Sequence, residues 1–158
     1  MARTLNPEPG QADHVICYRG RCHCGALGSV YLTRLPPVKW RVRACACSFC
    51  RAHGAETTSD PDGEASFIYR DRSRLQRYRF GRDTADFIVC QNCGVYLGAE
   101  MSTPMGRWAT LNVRTFVPAP AGLPAALRVV YEDESRASRI RRRQASWTPV
   151  RAEPADAV

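Results

Sequence analysis

Residues 14–34, HVICYRGRCHCGALGSVYLTR, decide the fold. Residues 14–20 and 27–34 carry β-branched and aromatic side chains bounded by glycines, which reads as two strands. Between them stands Gly20-Arg21-Cys22-His23-Cys24-Gly25-Ala26. Two cysteines separated by one residue are poorly placed to bridge each other, but both sulfurs can point at one metal ion. Small, loop-rich β folds often lean on such metals for stability.

The other cysteines extend this reading. Seven of the 8 fall into three tight clusters: Cys22-x-Cys24, Cys45-x-Cys47-x-x-Cys50 and Cys90-x-x-Cys93. Four thiolates close a tetrahedral zinc site, whereas three leave a position free for water or substrate. Two pairs and a triple therefore point to one closed site and one open site, and the open one points to an enzyme. Residues 1–13 are polar, with no apolar stretch of signal-peptide type, and no run approaches the roughly 20 apolar residues of a membrane span. The expected compartment is the reducing cytoplasm, where clustered cysteines bind metals more often than they form disulfides.

Further strands are expected at 65–70, 75–80, 85–90, 95–99 and 108–117. The clearest alternation runs from 38 to 44, where Val38, Trp40, Val42 and Ala44 interleave with Lys39, Arg41 and Arg43. Residues 54–64 read as a loop. Many short strands with frequent turns imply a sandwich or open barrel. The expected organisation is a disordered tail at 1–13, a zinc-binding β domain at 14–117, a Pro/Ala linker and helix within 118–147, and a tail at 148–158. The helix is placed at 132–145, acidic at its start and arginine-rich at its end.

The formal net charge is +8, and Lys39 is the one lysine among 23 basic residues. Filling the clusters with seven thiolates and two Zn²⁺ would lower that to about +5. The arginine bias reads as coding composition more than as a phosphate-binding surface, although the basic field favours small anionic substrates. The run Arg139 to Arg143 reads as a solvated helix face. It has no interleaved aromatics for base stacking, which argues against nucleic acid as a partner.

Taken together, G-x-C-x-C-G-A, then Cys45-Ala46-Cys47-Ser48-Phe49-Cys50-Arg51, then Cys90-Gln91-Asn92-Cys93-Gly94 resemble the glutathione-dependent formaldehyde-activating enzyme family. That family also contains the centromere protein V-like proteins. The resemblance covers about residues 14–117 and includes Leu111-Asn112-Val113-Arg114 as a closing strand. It implies a mainly β, Mss4-like twisted β-sandwich with zinc-binding turns, to which the short C-terminal helix is added. It also implies a structural zinc on Cys22, Cys24, Cys90 and Cys93, and a second, open zinc on Cys45, Cys47 and Cys50 as the catalytic group. The implied activity is that of a zinc-dependent carbon–sulfur lyase, forming or splitting thiol–aldehyde adducts such as S-hydroxymethylglutathione. The implied partners are a glutathione-like thiol and an aldehyde. Arg51 and Arg114 are the candidates for contact with the thiol's carboxylates, since a guanidinium fork suits that group.

The chain departs from the family after Cys50-Arg51, where Ala52-His53-Gly54-Ala55-Glu56-Thr57-Thr58 contains no aromatic residue. Cys45, Cys47, Cys50 and His53 could make a closed Cys₃His set, which would turn the second site structural. His23, between two ligands, should point away from the metal. Cys17 reads as a small buried hydrophobe. Trp40, Trp108, Phe87 and Tyr96 read as core, and Trp147 as the pin of the C-terminal segment. Two other functions stay open: a non-catalytic zinc module that binds glutathione, and a nucleic-acid-binding zinc protein that uses the basic C-terminal segment.

Overall fold

The computed structural model describes residues 14–151. Along the chain run β1 (Ile16–Arg21), β2 (Leu27–Thr33), β3 (Arg43–Cys45), α1 (Ser48–Ala52), β4 (Thr57–Thr58), β5 (Glu64–Tyr69) and β6 (Leu75–Tyr78). There follow β7 (Asp86–Cys90), β8 (Tyr96–Thr103), β9 (Gly106–Asn112), β10 (Leu127–Val129), α2 (Arg136–Ser146) and β11 (Thr148–Pro149). The fold is mainly β with a short C-terminal helix, as expected.

The strands make two sheets. One is three-stranded, in the order β1-β2-β5. The other runs β10-β3-β4-β9-β8-β7-β6, with β11 added on β9. Pairing is antiparallel except between β10 and β3. In β2 the buried residues Leu27, Ser29, Tyr31 and Thr33 recur every second position, as a half-buried strand requires. Leu27, Tyr31 and Phe67 of the small sheet share one core with Ile88, Leu97 and Leu111 of the large one.

Trp40 anchors this core. Its ring stands edge-on to Tyr18 at 4.7 Å, to Tyr31 at 5.2 Å and to Phe116 at 5.8 Å. Such aromatic pairs contribute about 1 kcal/mol each beyond their area burial. The indole Nε1–H donates to the Leu35 carbonyl at 2.9 Å, so its one polar atom is satisfied.

Three expectations are corrected. The alternating stretch 38–44 is not one strand: Pro37–Lys39 forms a 3₁₀ turn, and regular pairing begins only at Arg43. Pro36 and Pro37 lack the N–H that a paired strand needs and hold φ near the helical range. Trp40 and Val42 are nonetheless buried, while Val38 is exposed. The loop 54–64 contains β4, two residues that join β3 to β9. The strand at 108–117 ends at Asn112, whose side chain accepts from the Arg114 N–H and starts a 3₁₀ turn.

The C-terminal segment is integrated further than expected. Ser135 caps α2 by accepting from the Ser138 N–H at 3.1 Å. Trp147 packs with Ala85, Ala99 and Met101, the pinning role expected of it. Thr148 and Pro149 then pair with Ala109 and Trp108, and the Val150 and Arg151 N–H groups donate to the Arg107 and Ala65 carbonyls, so the expected tail at 148–158 is corrected for residues 148–151. The expected tail at 1–13 lies outside the described residues, as do residues 152–158. No helix among the described residues is long and apolar enough to cross a membrane.

Candidate functional site

Two turns of similar construction bring the cysteine pairs together. In one, the Cys22 N–H donates to Leu27 O and the Gly25 N–H to Cys22 O; in the other, Cys90 N–H donates to Val95 O and Gly94 N–H to Cys90 O. Both close on glycines in the left-handed region, Gly25 at φ +81° and Gly94 at φ +73°, where a Cβ is disfavoured. The Sγ atoms of Cys22, Cys24, Cys90 and Cys93 lie within 4.8 Å of one another. Cys22 and Cys24 are 3.7 Å apart, and Cys24 and Cys90 are 3.5 Å apart. Tetrahedral bonds of about 2.3 Å put neighbouring sulfurs about 3.8 Å apart, so this set fits a four-coordinate ion.

The electrostatics of this group agree with a cation. The Cys24 thiol is lowered to about 6, first by the Asn92 side chain and then by the Ala26 N–H. Burial pushes Cys90 up to about 12 and also raises Cys22. Thiols packed so closely cannot all ionise on their own, and a bound cation removes that conflict.

The second group stands at the β3–α1 junction. Cys45 ends β3, Cys47 is the N-cap of α1 and Cys50 lies inside that helix. Their Sγ atoms also lie within 4.8 Å of one another. Cys47 is held well below the ordinary thiol range by Cys45 and Cys50, while Cys45 and Cys47 drive Cys50 far up. Both groups could therefore hold a metal ion.

His53 does not complete this set. It is exposed, its Nδ1 lies 2.9 Å from the Phe49 carbonyl, and its ring packs on Phe49 at 4.2 Å. A carbonyl only accepts, so Nδ1 carries the proton there. Among the described residues, the three-cysteine group is thus one ligand short of a closed tetrahedron. His23 is exposed and belongs to neither group, as expected. Cys17, expected to be buried, is exposed on β1.

Cys45, Cys47 and Cys50 line a cavity of about 450 Å³; the four-cysteine group does not. Phe80, Phe87 and Tyr96 form an aromatic wall with ring spacings of 4.6 and 5.7 Å along it. Arg43, Thr57 and Thr110 contribute from β3, β4 and β9. Helix α2 lends Arg139, Arg142 and Arg143, with Trp147 behind them. Glu134 fastens two of these, accepting from Arg142 Nε at 2.6 Å and from Arg139 Nε at 3.4 Å.

Arg51 and Arg114 do not line this cavity. Arg51 follows Cys50 directly on α1 but is exposed. Arg114 is also exposed and pairs with Glu56 at 2.8 Å. The arginines that do line it carried signals in the sequence. Arg43 lies two residues before Cys45 on one strand, hence on the same face. Arg139, Arg142 and Arg143 stand at i, i+3 and i+4, one face of a helix. The expected solvated face is thus corrected: α2 turns these three onto the cavity. Tyr96, expected as core, is buried yet lines the cavity, and its hydroxyl has no hydrogen-bond partner among the described residues.

No protein-family model matches the chain, and no curated protein matches it. Among solved structures, the crystal structure of a Rhodobacter sphaeroides protein, determined as a structural-genomics target, is similar at 30% identity. The match covers 61% of this chain and 85% of that one, with a TM-score of 0.46. That description names no activity, so the likeness adds nothing to the chemistry read from the site.

Proposed function

We propose that this protein is a zinc-dependent carbon–sulfur lyase that forms or splits adducts of a glutathione-like thiol with a small aldehyde. One observation carries the reading. Of the two cysteine groups, the one that is a ligand short lines the cavity, and the complete one does not. A structural metal needs no cavity, whereas a metal that meets substrate does.

The chemistry balances without an oxidant or reductant. The thiol sulfur bonds to the carbonyl carbon, the carbonyl π pair moves to oxygen, and the proton lost by sulfur ends on that oxygen. Splitting is the reverse. Cys45, Cys47 and Cys50 would hold the zinc, and Cys22, Cys24, Cys90 and Cys93 a second, structural one. Zinc bound in the open site supplies a Lewis acid that favours the thiolate form of a substrate thiol.

The chain's own residues do the rest. The Tyr96 hydroxyl, which lines the cavity, can donate to the aldehyde oxygen as charge develops there. Phe80, Phe87 and Tyr96 keep bulk water from the adduct. Holding the two reactants in one cavity supplies proximity, which counts for much when the aldehyde is already reactive. The inward placement of Arg139, Arg142 and Arg143 supports this reading over a basic nucleic-acid-binding face.

The test is metal content combined with exchange spectroscopy. Wild type should hold about two zincs and Cys47→Ser about one. Exchange between ¹³C-formaldehyde and its glutathione adduct should accelerate with wild type alone. A single zinc unchanged by Cys47→Ser, or equal exchange rates in wild type and variant, would overturn the reading.

A further inference from the structure

We propose that Arg43 and Arg143 form a buried subsite for the carboxylate of a small-molecule reactant, inside the cavity that the three-cysteine group lines. The inference rests on the reading of that cavity as the reaction site and goes beyond it by assigning a charge to one reactant.

The observation is an imbalance. Arg43 is 5% exposed and Arg143 is 7% exposed, and neither has a carboxylate partner among the described residues. Other arginines here behave differently: Arg107 and Arg77 share Glu100, and Arg139 and Arg142 share Glu134. A buried guanidinium without a counter-charge is costly, and an apolar side chain would fill the same volume at less expense. Its presence calls for an anion that comes and goes.

The donors are also unspent. A guanidinium carries five N–H donors. Arg43 engages Nη2 with Ser59 Oγ at 2.5 Å and Thr110 Oγ1 at 3.3 Å. Arg143 engages Nη1 with Thr84 Oγ1 at 2.7 Å, and its buried Nε–H has no partner. These neutral hydroxyls hold both forks in place without neutralising them. The Trp147 ring, 4.5 Å from the Arg143 guanidinium, fixes its plane from behind. A planar carboxylate matches such forks better than it matches a point charge.

Position links the subsite to the sulfurs. Arg43 and Cys45 are two residues apart on β3 and share a face, so their Cα atoms stand roughly 6.5 Å apart. Tyr96 packs against Cys50 and lines the same cavity as Arg43 and Arg143. One small molecule can therefore meet the arginines at one end and the cysteine group at the other.

The test uses two matched pairs of probes on the zinc-loaded protein, with binding read by calorimetry and by tryptophan fluorescence. Glyoxylate is compared with acetaldehyde, and mercaptoacetate with 2-mercaptoethanol. The carboxylate-bearing member of at least one pair should bind tenfold or more tightly than its neutral partner and perturb the fluorescence, a change absent in Trp147→Phe. Whichever pair shows the preference identifies the reactant that carries the charge. Arg143→Met and Arg43→Met should each abolish the preference while keeping the far-ultraviolet circular dichroism and zinc content of wild type. Arg143→Lys should recover it in part, which separates loss of charge from loss of fold. Equal binding within both pairs in wild type, or a preference that survives Arg143→Met, overturns the subsite. Adduct formation is followed separately by ¹³C spectroscopy: preference without adduct formation sinks the lyase reading alone, and adduct formation without preference sinks the subsite alone.

Discussion

The Sγ of Cys24 lies 3.5 Å from the Sγ of Cys90, although 66 residues separate them in the chain. This contact ties the β1–β2 turn of the small sheet to the β7–β8 turn of the large one, so a metal held there would bridge both layers of the sandwich.

Removing Cys90 should therefore unfold the domain. Structural zinc contributes on the order of 10 kcal/mol of apparent binding energy, about the whole stability of a domain this size. Cys90→Ala is expected to lose its cooperative thermal transition, and a strong chelator should do the same to wild type. Circular dichroism melting with parallel metal analysis checks both. Cys47→Ser should keep a sharp transition, because its group stands at a cavity and not between the sheets.

Tyr96→Phe removes one hydroxyl that has no hydrogen-bond partner among the described residues. Stability should change little, within about 1 kcal/mol. The rate of adduct exchange should fall on the order of 10²-fold with thiol affinity unchanged, the pattern of an interaction made as charge develops. A weaker thiol affinity at unchanged rate would assign Tyr96 to substrate binding instead.

Glu134 holds α2 over the cavity through Arg142 and Arg139. Hydrogen bonding from Arg142 lowers its carboxyl below the ordinary 4.5, against a smaller opposing effect of burial. The unfolded chain thus takes up the proton first as pH falls. The stabilisation is complete above 4.5 and is lost as pH drops through the lower folded-state value. Glu134→Gln should cost about 1 kcal/mol at neutral pH, and the gap between variant and wild type should close below 4.5. Urea melts across pH 3 to 7 would show it, with metal release common to both proteins.

Gly98 on β8 faces Leu111 of β9 with no room for a side chain. A Cβ there would sit 2.3 Å from the Thr110 carbonyl oxygen and 3.2 Å from the Phe67 ring, and the backbone has φ +154°. Gly98→Ala should destabilise by about 3 kcal/mol, since the obstructing atom is backbone and cannot swing aside. The same shift would disturb Tyr96, two residues earlier on the strand, and lower activity beyond the loss of folded protein. Denaturant titration and specific activity together test this.

Some of this protein was legible residue by residue. The cysteine spacing and the glycines after it specify turns with local geometry, and both turns close on Gly25 and Gly94. Strand-forming runs at 14–20, 27–34, 65–70 and 85–90 fall on β1, β2, β5 and β7 because each is a short-range pattern closed by its own turn. The run at 38–44 misled, because alternation reports which residues are buried and not which are paired: Trp40 and Val42 bury their side chains from an unpaired segment after Pro36-Pro37.

What only the tertiary structure decided is the content of the cavity. An arginine on a short helix looks the same in sequence whether it faces water or a pocket. Its fate depends on where Trp147 and β11 dock the helix, and those contacts reach back to Ala85 and to β9. Arg51 stands next to Cys50 in the chain yet is exposed, whereas Arg143, far from the cysteines in sequence, joins them across the fold. Local spacing determined the cysteine turns that could hold metal ions, because one turn positions each cluster; long-range packing joined Cys22 and Cys24 to Cys90 and Cys93 and brought α2 with its arginines to the open group, because it sets distant elements against one another.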